Sequence, residues 1–75
     1  MPPLPVLSGQ DAVRAFERLG WRFVRQVGSH VILTRAGTVV TLSVPAHREL
    51  AVGTLRGLIR KAGLTVEQFV TALNQ

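Results

Sequence analysis

Apolar residues recur at helical spacing early in the chain: Ala12, Val13, Phe16 and Leu19 form one stripe, which predicts a first helix. Ser8 and Asp11, three residues apart, have capping-box form, and Gly20 supplies a C-terminal stop. Residues 1–7 contain Pro2, Pro3 and Pro5 and read as an extended arm, because proline lacks an amide donor and holds its predecessor extended. From Trp21 the period changes to two. Segments 21–27, 30–35 and 38–44 are rich in β-branched and aromatic residues, with Gly28-Ser29 and Ala36-Gly37 between them. This pattern predicts three strands joined by two tight hairpins, the third strand closed by Pro45, which cannot donate to a ladder.

Parity sorts the two faces of the predicted sheet. Val31 and Leu33 share one side of the second strand, and Val40, Leu42 and Val44 share one side of the third; these are the expected core positions. His30 falls on the opposite side with Ile32 and Thr34, where Val24 and Val39 are also expected. Beyond segment 46–52, Leu55, Leu58, Ile59 and Ala62 make a second helical stripe that Gly63 stops, with Arg56 and Arg60 on its other face. Thr65 and Gln68 form another capping box ahead of a short last helix carrying Val66, Phe69, Val70 and Leu73. The order helix, three strands, helix, helix predicts an α+β domain over residues 8–75. Its helices pack on one face of an antiparallel sheet and leave the other open.

Size and composition narrow what such a domain can be. A chain of 75 residues buries only about 60% of the surface its unfolded form exposes, enough for one modest core. Without cysteine, neither disulfides nor a thiolate zinc site can supplement that core. No apolar run approaches the roughly 20 residues that span a bilayer, and the start lacks the basic and apolar regions of a secretory signal. A soluble, cytoplasmic protein without membrane contact is expected. Eight arginines and one lysine against four carboxylates give a net charge of +5, the electrostatic footprint of a nucleic-acid binder. Tyrosine is absent and other aromatics are few, which argues against reading single-stranded bases by stacking. Arg14 and Arg18, one turn apart beside Glu17, read as a solvated helix face.

The chemistry on offer is sparse. There is no carboxylate pair at helical spacing and no phosphate-binding glycine loop, and two histidines without a carboxylate cluster make no credible ligand set. No cofactor and no metal are therefore expected. Ser29 and His30 are neighbours on a strand and point to opposite faces, so they do not suit a nucleophile and its base. Histidine acid–base chemistry is what remains, and RNA asks for little more. Its 2′-hydroxyl attacks the adjacent phosphate once a base takes the proton or an acid protonates the leaving oxygen. Arg22, Arg25, Arg35, Arg56 and Arg60 are all candidates to stabilise the phosphorane or bind RNA, each equally readable as a solvated charge.

Three strings in order carry a resemblance to a known family: Gly28-Ser29-His30, Val44-Pro45-Ala46-His47, and Gly53-Thr54-Leu55-Arg56-Gly57-Leu58-Ile59-Arg60-Lys61-Ala62-Gly63-Leu64. From Ser8 to about Phe69 the chain resembles HicA-type mRNA interferase toxins of bacterial toxin–antitoxin pairs. The resemblance implies a double-stranded-RNA-binding-domain-like fold, endoribonuclease activity on mRNA, and an essential catalytic histidine matching His30. It also implies a HicB-type antitoxin as partner. The Ala36-Gly37 hairpin is shorter than the basic loop relatives often carry, which implies fewer RNA contacts there. His47 matches the family pattern without an assigned role and is read as ordering the segment between the third strand and the second helix. Two other readings use the same surface: a non-catalytic RNA-binding module, and a partner-binding protein acting in operon autoregulation. The chain carries no helix-turn-helix signature for direct DNA reading.

Overall fold

The computed structural model describes residues 4–75. Its elements are α1 (Gly9–Arg18), β1 (Arg22–Val27), β2 (His30–Thr34), β3 (Thr41–Pro45), α2 (Val52–Lys61) and α3 (Val66–Leu73). The strands form one antiparallel sheet in the order β1-β2-β3, so the α+β class and the element order are as expected. Both capping boxes form. Ser8 Oγ accepts the Asp11 N–H at 3.1 Å, and Thr65 Oγ1 accepts the Gln68 N–H at 3.1 Å. The reciprocal bonds, from the Ser8 N–H to Asp11 and from the Thr65 N–H to Gln68, satisfy a second donor at each helix start.

One face of the sheet makes the core. Val31, Leu33, Leu42 and Val44 are buried together with Phe16 of α1, Leu55 and Ile59 of α2, and Phe69 of α3. α1 and α2 pack on this face, and α3 packs against both of them. The Phe16 and Phe69 rings meet with centroids 5.0 Å apart at a tilt of 55°, which joins α1 to α3 through an aromatic pair. Leu7 and Leu50 complete the core from non-regular segments, and the Leu7 carbonyl accepts the Leu50 N–H at 2.8 Å. Met1–Pro3 of the expected arm lie outside the described residues.

Two sequence expectations need correction, and a third gains a contact. The second connection is not a tight hairpin: β2 ends at Thr34 and β3 begins at Thr41, leaving 35–40 as a loop. Thr38 Oγ1 accepts the Val40 N–H at 3.1 Å, a local bond that competes with the ladder and delays the strand. Val40 is consequently only half-buried and Val39 stands in solvent at 99% exposure, so Val39 does not belong to the open sheet face. Arg18 is exposed as expected, but it is also tied to α3. Its guanidinium donates to the Ala72 carbonyl at 2.9 Å and the Leu73 carbonyl at 3.4 Å, at the C-terminal end of α3, where a cation is favoured. Arg14 is exposed as expected and pairs with Asp11 at 3.4 Å.

Candidate functional site

The uncovered face of the sheet has a simple layout. Its central row, on β2, is His30, Ile32 and Thr34. Val27, Arg25 and Arg22 oppose these on β1, and Pro45, Ser43 and Thr41 oppose them on β3. His30 is exposed and lies between Val27 and Pro45 at the end of the sheet nearest the Gly28-Ser29 turn. Gly28 takes a φ of +58°, and a glycine in the first central position is what a two-residue type II′ hairpin requires. The turn is braced on both sides. Gln26 Nε2 donates to the Gly28 carbonyl at 3.0 Å, and the Ala46 N–H donates to the Ser29 carbonyl at 2.6 Å. The backbone that carries His30 is thus fixed while its imidazole faces solvent.

The five candidate arginines separate by location. Arg22 and Arg25 share the face of His30, and among the described residues neither guanidinium makes a hydrogen bond or an ion pair. Arg35 is half-buried, its guanidinium carbon 5.3 Å from the Trp21 ring centroid, so its charge is engaged within the fold. Arg56 and Arg60 belong to the helix layer on the other side of the sheet. There they line a shallow groove of about 320 Å³ with Ile59, Leu64, Thr65 and Val66. They are not brought to His30. His47 is exposed in the segment after β3, and its carbonyl accepts the Gly9 N–H at 2.9 Å.

No carboxylate stands among the strands, and the sequence holds none between Glu17 and Glu49. Three hydroxyl groups line the same face, on Thr34, Thr41 and Ser43. Sequence reasoning did not single out Thr41 and Ser43, although alternation with the buried Leu42 and Val44 signals both. Val27, the direct cross-strand neighbour of His30, was missed for another reason. Counting by twos from the buried Trp21 assigns it to the core side, but a register shift between Phe23 and Arg25 reverses the parity. Among the described residues, no three His, Asp or Glu side chains are grouped to hold a metal ion, and no helix is long and apolar enough to cross a membrane.

Comparison with curated proteins gives no match. A family model described as the HicA toxin of bacterial toxin–antitoxin systems matches residues 9–64, a span that takes in α1, the whole sheet and α2. The chain belongs to the HicA toxin family, the toxin half of a bacterial toxin–antitoxin pair.

Proposed function

We propose that this toxin is an endoribonuclease that cleaves mRNA, with His30 as its proton-transfer group. The observation that carries this reading is an exposed imidazole on a carboxylate-free sheet face that also bears two unpaired guanidiniums. A phosphodiester drawn to such a face meets positive charge without competition from the protein's own acids. Within it, the 2′-oxygen bonds to phosphorus as the phosphorus–5′-oxygen bond breaks, and the departing 5′-oxygen takes up a proton. Histidine is suited either to accept the first proton or to supply the last. The products are a 2′,3′-cyclic phosphate and a 5′-hydroxyl end.

The antitoxin, on this reading a HicB-type protein, occupies the same face. Val27, Ile32 and Pro45 give it apolar ground beside arginine, which suits a partner with an acidic rim. The test is cleavage of purified RNA by the wild-type protein and by His30→Ala, with the new ends identified chemically. Cyclic phosphate ends from the wild type and none from a folded His30→Ala protein are expected. A folded His30→Ala protein that cleaves at the wild-type rate would falsify the assignment, and wild-type protein that binds RNA without cutting it supports the binding-module reading instead.

A further inference from the structure

Side chains three positions apart on a regular strand point to opposite faces. Arg22 and Arg25 are three apart, yet Arg22 pairs with Thr34 and Arg25 with Ile32, two β2 residues on one face. Val24 is the reason. It is the additional residue of a β-bulge, visible as the register shift between Phe23 and Arg25. A bulge leaves a residue unpaired and disrupts the ladder locally, and bulges are concentrated where they re-aim a side chain, often beside active sites. Apolar packing does not account for this one, since Phe23 is 54% and Val24 45% exposed. Its effect is to bring both guanidiniums to the side that bears His30.

We propose that this bulge builds a phosphate-binding row in which Arg25 holds the phosphodiester that His30 acts on and Arg22 holds a flanking phosphate of the same RNA strand. The proposal rests on the RNA-cleavage reading above and gives its site a ligand set. Val27 lies directly across from His30, so Arg25 is the diagonal neighbour of His30 on that face. Such diagonals are about 7–8 Å apart, within reach of a long side chain. Arg22 lies opposite Thr34, about 7 Å further along the hairpin. The RNA backbone accordingly runs lengthwise along β1 and β2 rather than across the sheet. A guanidinium fork matches two phosphate oxygens and neutralises the charge that builds on them as the 2′-oxygen attacks.

The experiment measures binding of a labelled mixed-sequence single-stranded RNA to protein carrying His30→Ala, so that cleavage does not intervene. Adding Arg25→Ala is expected to weaken binding about tenfold, the loss of one charge-assisted contact, and to lower the salt slope by about one. Arg14→Ala, which removes the same charge from α1, is expected to leave affinity near that of the parent. Arg22→Ala is expected to weaken binding by a similar factor in a protein that still melts cooperatively. In the cleaving protein, Arg25→Ala lowers kcat and Arg25→Lys recovers part of it. Should Arg25→Ala bind and cleave like its parent, or Arg22→Ala bind unchanged, the row does not exist even if His30 is catalytic. If the wild type never cleaves while Arg25→Ala still weakens binding, the cleavage reading falls and the row stands. A parent that binds no RNA overturns both.

Discussion

The two faces of the sheet are built from the same strands and differ in what depends on them. On one, Val31, Leu33, Leu42 and Val44 are closed off by the helix layer; on the other, alternate residues of the same segments meet solvent. A side chain of the first kind determines whether the domain exists, whereas one of the second kind is free to be chosen for chemistry. The contrast teaches that stability and activity in so small a domain are divided by parity along a strand rather than by region of the chain. Substitutions only one residue apart should therefore have opposite signatures.

Leu33→Ala is expected to have the largest effect, about 2–5 kcal/mol, because Leu33 is fully buried at the centre of the sheet. Against a total of about 5–15 kcal/mol this leaves much of the protein unfolded, with toxicity lost as a consequence; the urea midpoint reads it. Gly9→Ala comes next. A Cβ there collides with the Pro45 carbonyl, and backbone must move to admit it, at about 1–3 kcal/mol. Ser8→Ala removes one half of a capping box and costs about 1 kcal/mol, seen as a lower Tm with activity retained below it. His30→Ala should change stability by no more than about 0.5 kcal/mol while abolishing growth inhibition. The comparison breaks if His30→Ala destabilises as much as Leu33→Ala, and it sharpens if Ile32→Thr, on the open face beside Arg25, is as mild as His30→Ala in stability yet alters RNA affinity.

Much of this fold is legible in the sequence because its signals are local. Both capping boxes, the Gly28-Ser29 turn and the stripe of Leu55, Leu58, Ile59 and Ala62 lie within a few residues and match the structure. What escapes is non-local or depends on counting. The Val24 bulge changes the facing of every later β1 residue and leaves no mark in composition. Arg18 reaches α3 across most of the chain, so nothing near it signals that contact. Thr38 looks like a strand residue by propensity, yet its hydroxyl binds its own backbone two residues on. For the candidate site, His30 and its face follow from alternation. The ranking of the five arginines does not, since it depends on the bulge, on the Trp21 ring beside Arg35, and on which side of the sheet α2 lies.

The segment after β3 is held at three places by backbone bonds to distant parts of the chain: Ala46 to Ser29, His47 to Gly9, and Leu50 to Leu7. Hairpin tips ordinarily fray on their own, and their amides exchange with solvent through small local openings. Here the tip next to His30 is bonded to a segment that is itself bonded to the start of α1. The Ala46, Gly9 and Leu50 amides should then exchange at a common slow rate close to that of global unfolding, although they belong to connections and a helix end. The geometry around the imidazole is thereby set by the cooperativity of the whole domain, and a lesion at the amino-terminal edge of α1 would reach it without touching the sheet.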